Sequence, residues 1–565
     1  MASTVRLVPF DAGKYLLSAP MSAPCFEKRL LMLGLAVEWK PWLRGWCTGA
    51  MAVFLGSCAE HQAPAAAPPQ WNTDSTTVRL AAGPQYARST TWQLFFGAHY
   101  RRVWATPVTV PVLRLATAVP GGLVPMQAGG SYQSHTLRLH APDGREYVLR
   151  SVDKDMSAAL SPGWKKNLLR GLLKDQTSAT QPFGAYPAAY LAEAAGVLHA
   201  NPRLVFVGPD AGLGKFKAAY ANALYLFEER PDGDQRRVAS FGYAPRVVNS
   251  AHMLAALRRR PSAHVPARAF LRARLLDLLV GDWSRREDQW RWAAFPRSGR
   301  VAFRPVPRDR DQAFFLFDDG LVTRLVSWFA PKYQTFRGAI RLENVDGLTT
   351  TARALDRTLL TSLSANDFRE VADSVRASLS NAVLAQAFSS GPSEIRASLA
   401  AKFVPMLRAR REQLPAVAQQ YYALLNKQAW LIGTDQAERF ILSEAGGSLR
   451  VQLLARRSGQ PDSLVADRTF NRKITPQLDL FGLGGDDVFE LRGALPEGIA
   501  VSIYDGAGRN QVITVPGATP GNVIWYTGPG ERLTLRPAGV QVETDPHPEL
   551  TANGRAWLHR YNLRD

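Results

Sequence analysis

Two acidic segments, separated by a short β stretch, are the most informative part of this sequence. The first is Gly281-Asp282-Trp283-Ser284-Arg285-Arg286-Glu287-Asp288-Gln289-Trp290, and the second is Pro307-Arg308-Asp309-Arg310-Asp311-Gln312-Ala313-Phe314. We expect Asp309 and Asp311 on the same side of a strand, because side chains alternate with period two. Two carboxylates held that close repel each other unless a cation lies between them. The pair is therefore either a magnesium site or an arginine-bridged structural pair.

Upstream of these segments, residues 135–152 predict a β-hairpin around the turn Ala141-Pro142-Asp143-Gly144. On its second strand Arg150 shares a face with two valines, and Lys154 joins that face if the strand continues. Further elements are indicated by apolar runs and helical spacing. They are a helix over 188–198, strands over 204–207 and 224–228, and a helix over 267–280 that should be buried on one side.

The order of these elements resembles that of protein kinases, in the atypical branch that contains the spore-coat CotH kinases, HipA and the secretory-pathway casein kinases. The resemblance covers residues 137–314 and includes the strand that runs into Leu226-Phe227-Glu228-Glu229. It implies that Arg150 stands where those kinases place the lysine that grips the nucleotide phosphates, with Lys154 as the nearest lysine. It also implies that Asp309, supported by Asp311, binds Mg²⁺ or Mn²⁺ together with a nucleotide.

The first acidic segment departs from those families, whose loop reads Gly-Asn-x-Asp-Arg-His-x-x-Asn. Ser284 stands at the catalytic Asp, Arg286 at the His and Gln289 at the metal-binding Asn. A serine cannot accept the substrate proton as a carboxylate does. Asp282 or Asp288 would have to act as the base from a different position. The loop therefore favours a degenerate kinase, which binds its ligand weakly or not at all, over an active one.

The N-terminal region predicts export. An apolar stretch, residues 45–54, follows basic residues and ends in Leu55-Gly56-Ser57-Cys58, which resembles the lipobox of bacterial lipoproteins. The resemblance implies diacylglyceryl transfer to Cys58 and removal of everything before it, with translation starting downstream at a site such as Met32. The alternative is a short buried helix that ends in the same four residues. The apolar run is too short to span a bilayer, which takes about 20 residues.

Cysteine content and charge limit the metal sites, disulfides and binding partners that the chain can have. Cleavage before Cys58 would leave one thiol, which excludes internal disulfides, thiolate zinc sites and iron–sulfur clusters. The formal net charge of +20 is typical of proteins that bind nucleic acid or anionic lipid, or of a basic composition in general. Export makes nucleic acid the weakest of these. We expect contact with a membrane through the lipid anchor, an envelope protein as a further partner, and an outer-membrane location facing the periplasm or the surface.

At 565 residues the chain is long enough for two or three domains, and the fold class we predict is α+β. Residues 482–489, Gly-Leu-Gly-Gly-Asp-Asp-Val-Phe, resemble the calcium-binding turns of RTX β-rolls, although a single copy also fits an ordinary turn. We find no clear repeat of fixed period.

The expected organisation is a signal peptide over 1–57 with a mis-assigned leader, a lipidated Cys and Pro/Ala tether over 58–85, a kinase-like α+β domain over 86–353, a helical subdomain over 354–430, a β domain over 431–545 and a C-terminal tail over 546–565.

Two functions follow from this reading. The first is an envelope-anchored lipoprotein with a kinase-like, catalytically impaired domain that binds phosphate or a nucleotide. In it, Arg150 or Lys154 would hold phosphate, Asp309 and Asp311 a metal, and Asp282 or Asp288 would be a substitute base. The alternative is a non-catalytic scaffold or binding module of the outer membrane or periplasm. Export favours the second function, because the periplasm holds almost no ATP.

Overall fold

The computed structural model describes residues 74–129, 135–154, 167–530, 536–561 and 563. Within this part of the chain the expected α+β fold class is confirmed, with two sheets and several helices, then a helical segment, then a β domain. Cys58 and the expected signal peptide lie outside the described residues. In the described ranges, no helix is both long enough and apolar enough to cross a membrane.

A seven-stranded sheet carries the residues expected to hold phosphate. Its strands, in chain order, are β1 (Thr77–Ala81), β2 (Pro107–Leu113), β3 (Val124–Gly129), β4 (Thr136–His140), β5 (Glu146–Ser151), β6 (Arg203–Val207) and β7 (Ala223–Glu229). Their order across the sheet is β1-β2-β6-β7-β5-β4-β3, and neighbours are antiparallel except for β2 and β6. The hairpin of β4 and β5 is present as expected, and β5 lies inside the sheet beside β7.

A second sheet has four strands in the order β8-β10-β11-β9. These strands are β8 (Arg246–Asn249), β9 (Ala263–His264), β10 (Trp290–Arg297) and β11 (Arg300–Pro307). The helices of this part of the chain are α1 (Thr90–Phe96), α2 (Arg101–Ala105), α3 (Asn167–Asp175), α4 (Ala185–Ala194), α5 (Lys217–Tyr220), α6 (Ser250–Arg259), α7 (Ala267–Val280), α8 (Leu321–Phe329) and α9 (Val345–Thr349). The first acidic segment joins α7 to β10, and the second follows β11.

Helix α7 is buried in the main hydrophobic core. Its bounds are those expected from the sequence, but it is buried on all sides from Ala273 onward rather than on one. The reason is that its polar residues Arg274 and Asp277 are paired inside the core, so no face needs water. The helix ends at Gly281, whose φ of 72° is the left-handed conformation that favours glycine. Arg410 then donates to the carbonyls of Leu278 and Leu279 at this end, which satisfies them and places a cation against the helix dipole.

A helical segment packs on α7 from the C-terminal side. It contains α10 (Arg353–Leu360), α11 (Ala365–Ser378), α12 (Asn381–Gln386) and the long α13 (Ser393–Asn426). Helices α10, α11 and α13 all contact α7. Buried residues of these helices belong to the same hydrophobic core as those of the first sheet and α7, from Val78 to Leu425. The two parts of the chain are therefore stabilised together.

The β domain is built from two sheets that enclose a separate hydrophobic core. Its strands are β12 (Gln428–Ile432), β13 (Glu438–Ala445), β14 (Ser448–Arg457), β15 (Gln460–Phe470), β16 (Gln477–Phe481), β17 (Val488–Arg492), β18 (Ala500–Tyr504), β19 (Gln511–Thr514), β20 (Val523–Thr527) and β21 (Gln541–Thr544). The sheet orders are β12-β16-β18-β20-β21 and β15-β14-β13-β17-β19. From β16 to β20 the chain alternates between the sheets and pairs in parallel with the preceding coil, as in a β-solenoid.

The stacked coils carry a repeat that the sequence did not reveal. Phe481, Tyr504 and Tyr526 occupy matching positions on neighbouring strands, and their rings stack with centroids 5.0 and 4.7 Å apart. The connecting turns stack as well, since the amide of Glu438 donates to Asp487 and the amide of Asp487 donates to Asn510. The repeat lies in backbone geometry and a few positions, so neighbouring coils share little sequence.

The residues after the β domain fold back onto the molecule. Helices α14 (Pro548–Thr551) and α15 (Gly554–Trp557) follow β21. Trp557 is fully buried and packs against Trp430 and Phe481, with the guanidinium of Arg560 4.2 Å from its ring centroid. This end of the chain therefore joins the main core to the β domain.

Candidate functional site

Arg150 lies at the centre of a cluster of charged side chains from three separate parts of the chain. We call this group the cleft cluster: Arg150, Lys154, Glu228, Asp309 and Asp311. Nη1 of Arg150 lies 2.7 Å from Oδ1 of Asp309 and 2.7 Å from Oδ2 of Asp311, and its Nη2 lies 3.2 Å from Oε1 of Glu228. Lys154 adds a second cation, with Nζ 2.6 Å from Oδ2 of Asp311. The structure therefore brings together the four residues expected to hold phosphate and metal.

The pairing of β5 with β7 puts Glu228 into this cluster. Val148 lies opposite Glu228 and Arg150 lies opposite Leu226, so the two charged side chains share one face and meet diagonally. Arg150 and Glu228 are both buried. Burial, only partly offset by Arg150, raises the pKa of the Glu228 carboxyl to about 7.

Asp309 and Asp311 lie on a loop after β11, not on the strand that their alternation predicted. The strand ends at Pro307, and Asp309 has a φ of 43°. A left-handed residue breaks the extended backbone, and Asp tolerates this conformation better than most residues do. Both carboxylates nevertheless face Arg150, because the loop curls toward β5. Non-glycine residues in this conformation are concentrated at functional sites.

The cations of the cluster act strongly on Asp311. Burial alone would raise the pKa of its carboxyl, but Arg150 and Lys154 outweigh that effect and hold the pKa far below its usual range. The same three acidic groups raise the pKa of Arg150, although burial opposes them. Asp311 and Arg150 are thus both charged at neutral pH. The arginine that bridges the aspartates is Arg150 from the hairpin, rather than either of the two arginines beside them in the sequence.

Lys154 and Asp311 line a small cleft. The cleft is lined by Ser151, Val152, Lys154, Thr180, Gln181, Pro182, Ala185, Leu226 and Asp311. Strand β5 ends at Ser151, so Lys154 reaches Asp311 from the segment beyond the strand. The side chains of Lys154 and Asp311 are 11% and 14% exposed, which leaves both of them within reach of a ligand in the cleft.

Asp282 belongs to a second, deeper set of charges, which we call the α7 network: Arg274, Asp277, Asp282, Arg285, Arg310 and Asp356. Asp277 pairs with Arg274, Arg285 and Arg310, with N to O distances of 3.1 to 3.2 Å. Arg274 also pairs with Asp356, and Arg285 with Asp282. Three arginines therefore face three aspartates in the core. Burial raises the pKa of Asp282, although Arg285 opposes the change.

Asp288 and Ser284 lie further along the same loop, and both are partly buried. Both oxygens of Asp288 accept from Arg286, at 3.1 Å each. Ser284 is half-buried, and its amide donates to Oδ1 of Asp282. Both carboxylates that were expected to replace the catalytic Asp are therefore engaged by neighbouring arginines of the loop.

Arg285 connects the α7 network to the cleft cluster. Besides Asp282 and Asp277, it donates to the carbonyl oxygens of Arg308 and Asp309. The amide of Arg308 donates in turn to the carbonyl of Gln289 at 2.9 Å. The first acidic segment thus holds the loop that carries Asp309 and Asp311.

Sequence reasoning missed the roles of Glu228, Asp277 and Arg285. Glu228 could have been noticed as a charged residue at the end of the otherwise apolar run 223–228, on the same face as Arg150 once the two strands are paired. The triple pairing of Asp277 leaves no local pattern, because its partners come from helix α7 and from both acidic segments.

The glycine-rich turn over 482–489 lies between β16 and β17, where one coil of the β domain meets the next. Asp486 accepts from the amide and the guanidinium of Arg509, and Asp487 accepts from the amide of Glu438. Within the described residues, no group of three or more His, Cys, Asp or Glu side chains is arranged to hold a metal ion. In the structure, these aspartates hold neighbouring turns together.

Comparison with known proteins adds one finding. The structure of CtkA, a proinflammatory kinase of Helicobacter pylori, is similar to this chain over 53% of this chain and 94% of that chain, with 12% sequence identity and a TM-score of 0.27. No family model matches the sequence. No curated protein matches it either.

Proposed function

We propose that the first part of the chain is a kinase-like domain that binds the phosphates of a nucleotide and is impaired in phosphoryl transfer. The observation that carries this proposal is the convergence of Arg150 and Lys154 with Asp309 and Asp311 beside a cleft. Phosphoryl transfer consists mostly of positioning and charge neutralisation, and these residue types are the ones it needs.

The acidic pair fits a divalent metal in chemistry and in access. The closest contacts of Arg150 and Lys154 are to Oδ1 of Asp309 and Oδ2 of Asp311, and the two carboxylate side chains are 20% and 14% exposed. Carboxylate oxygens are the ligands that Mg²⁺ and Mn²⁺ prefer. A bound metal would neutralise phosphate charge. Lys154 would then exchange Asp311 for a phosphate oxygen, while Arg150 would stay with the carboxylates.

The impairment is inferred from the loop over 281–290. Ser284 has no carboxylate to take the proton of an attacking hydroxyl. Asp282 is buried against Arg285, and Asp288 accepts hydrogen bonds from Nε and Nη2 of Arg286. Moving either carboxylate to the cleft would break a charged pair, and in the case of Asp282 that pair is fully buried.

A thermal-shift titration of the full chain with ATP and Mg²⁺ or Mn²⁺ tests nucleotide binding. A ligand present at about 100 times its dissociation constant adds about 2.7 kcal/mol to the free energy of unfolding. We expect a metal-dependent rise in melting temperature that is lost in Asp309→Asn and reduced in Lys154→Met. The control is Asp467→Asn, which removes an exposed charge of the β domain. No rise at millimolar ATP would contradict nucleotide binding.

Restoring the missing carboxylate tests the impairment. Ser284→Asp places an acid where kinases of this branch carry one, and a general base contributes about 10²-fold or more to the rate. We expect phosphate incorporation from labelled ATP to rise in this variant, and the rise to vanish in Ser284→Asp combined with Asp309→Asn. Equal incorporation by the unchanged chain and Ser284→Asp would mean that Ser284 is not what limits transfer.

A second candidate function is a non-catalytic scaffold of the cell envelope. The observation that favours it is the pairing of the charged groups with one another, since Arg150 and Lys154 already pair with Asp309 and Asp311 without a ligand. A failure of the nucleotide titration, with the chain folded, would select this candidate. Crosslinking in intact cells would then identify the partner.

We further propose that Cys58 anchors the chain to the outer membrane by a lipid. The support is the sequence Leu55-Gly56-Ser57-Cys58 after an apolar stretch. Labelled palmitate should be incorporated into the unchanged chain and not into Cys58→Ala. The unchanged chain should also stay in membranes washed with alkaline carbonate, which releases peripheral proteins. Incorporation of the label into Cys58→Ala would overturn this proposal.

A further inference from the structure

Helix α8 turns an apolar face to solvent. We call this surface the α8 face: Leu321, Val322, Leu325, Trp328 and Phe329. These side chains are 53%, 37%, 53%, 79% and 54% exposed in that order. At about 100° per residue their positions fall within an arc of about 120°. An apolar stripe of this width normally faces the core, and here it faces outward.

The position of α8 is fixed by its opposite side. Thr323 is buried and Val326 packs against the main core. The start of the helix abuts the end of α1, where a Cβ on Gly320 would lie 2.4 Å from the backbone nitrogen of Gly97. Helix α1 packs against α8, and its Leu94 is 59% exposed as well. Helix α8 is therefore held in place from the side opposite the stripe.

Arginines lie beside this surface. Arg324 lies on α8 next to the stripe and is exposed. Arg337 follows shortly after the helix with a side chain that is 58% exposed, and it pairs with Asp318, which precedes α8, at 2.8 Å. The whole chain carries a formal net charge of +20. An apolar helix face bearing Trp, Phe and Leu and flanked by cations is the pattern of helices that lie in the plane of an anionic membrane.

We propose that the α8 face docks onto the surface of a bilayer that contains anionic lipid. Trp328 and Phe329 stack on each other at the exposed end of the helix, and Trp is favoured at the boundary between headgroups and acyl chains. A helix of this length presents a stripe of about 13 Å, which is enough for shallow insertion. A stable dimer buries about 800 Å² on each partner. Five partly exposed side chains on one helix do not supply that area by themselves. A membrane is therefore favoured over a second copy of the chain.

This docking does not depend on the nucleotide site or on lipidation. The test therefore uses the full chain with Cys58→Ser, so that no acyl chain contributes to binding. Sedimentation with vesicles of phosphatidylcholine and phosphatidylglycerol is compared with sedimentation with phosphatidylcholine alone. We expect binding to the anionic vesicles, weaker binding in high salt, and a loss of about tenfold or more in Leu325→Ser with Trp328→Ser.

A matched control comes from the β domain, where Leu464 and Val465 are 58% and 47% exposed on β15. Leu464→Ser with Val465→Ser should bind vesicles like the parent, and Trp328→Phe should retain most of the binding. Circular dichroism and melting temperature verify that each variant is folded. Unchanged binding of the α8 double variant would overturn the proposal. A parent protein that does not bind vesicles would also overturn the proposal. This holds whether the parent is monomeric or forms a dimer that the α8 variant abolishes.

Discussion

Arg150 and Asp311 are 161 positions apart in the sequence, yet Nη1 of the arginine donates to Oδ2 of the aspartate at 2.7 Å. The contact joins a strand inside the first sheet to the loop after the second sheet. It is also the point at which the expected phosphate-binding residue meets the expected metal-binding pair. Arg150 therefore makes structural contacts and also has a proposed role in the phosphate-binding site, and experiments can separate the two.

Removal of Arg150 should destabilise the fold. In Arg150→Met the buried Glu228 and the two aspartates lose their shared cation, and breaking a buried pair costs about 3–5 kcal/mol. We expect a lower urea midpoint, with a smaller loss in Arg150→Lys, which keeps a charge but not the forked geometry. Arg450→Met is the control, since its exposed pair with Asp467 should leave the midpoint unchanged. A parent-like midpoint in Arg150→Met would mean that the cluster contributes nothing to stability.

The α7 network should be as sensitive as the cleft cluster. Asp277→Asn removes the one carboxylate that three arginines share, and we expect a loss of about 3–5 kcal/mol in the free energy of unfolding. Asp373→Asn in α11 is the matched control, because its pair with Arg376 is exposed. Thermal melting of the two variants should differ by several degrees. A smaller effect for Asp277→Asn than for Asp373→Asn would contradict the role assigned to this network.

The β domain should lose stability as the pH rises from about 4 to about 8. Burial raises the pKa of Asp487 to about 8 and that of Glu438 to about 7, so both carboxyls bind protons more tightly in the folded chain than in the unfolded chain. Their contribution is therefore fully present below the unfolded pKa and is lost as the pH passes the folded pKa. Asp487→Asn, which keeps an acceptor for the Glu438 amide, should flatten this dependence. Urea midpoints at several pH values measure it.

Gly320→Ala should weaken the base that holds α8. The new Cβ would lie 2.4 Å from the nitrogen of Gly97 and 2.7 Å from the carbonyl oxygen of Phe95, so the backbones of α1 and α8 must separate. Overpacking of this kind costs about 1–3 kcal/mol. Gly171→Ala is the opposite case, because nothing lies within 4 Å of its Cβ and it sits inside helix α3. Gly171→Ala should raise the melting temperature slightly. An equal fall in melting temperature in both variants would argue against the close approach at Gly320.

The sequence could predict what depends on local pattern. The bounds of α7 and the hairpin of β4 and β5 follow from apolar spacing and from a turn of Pro, Asp and Gly. The meeting of Arg150 with Asp309 and Asp311 could be expected only because the order of elements resembles that of kinases. The contact itself depends on the pairing of β5 inside the sheet, which no local pattern contains.

Features that depend on tertiary pairing could not be predicted in this way. The sequence gives no sign that Asp309 is left-handed, so alternation placed the two aspartates on a strand that ends before them. Helix α7 was expected to be buried on one side, but ion-pair partners from other segments allow Arg274 and Asp277 to be buried as well. The coils of the β domain escaped notice because hydrogen bonds between stacked backbones impose few residue types.

The aromatic ladder of Phe481, Tyr504 and Tyr526 has a consequence for how this protein can change over evolutionary time. Each coil of the β domain pairs with the coils on either side of it, and stability in such a stack is roughly a sum over neighbours. Duplication of one coil would add one rung to the ladder and leave the others in place. Descendants of this gene could therefore lengthen or shorten the domain in whole coils, while the main hydrophobic core around α7 stays unchanged.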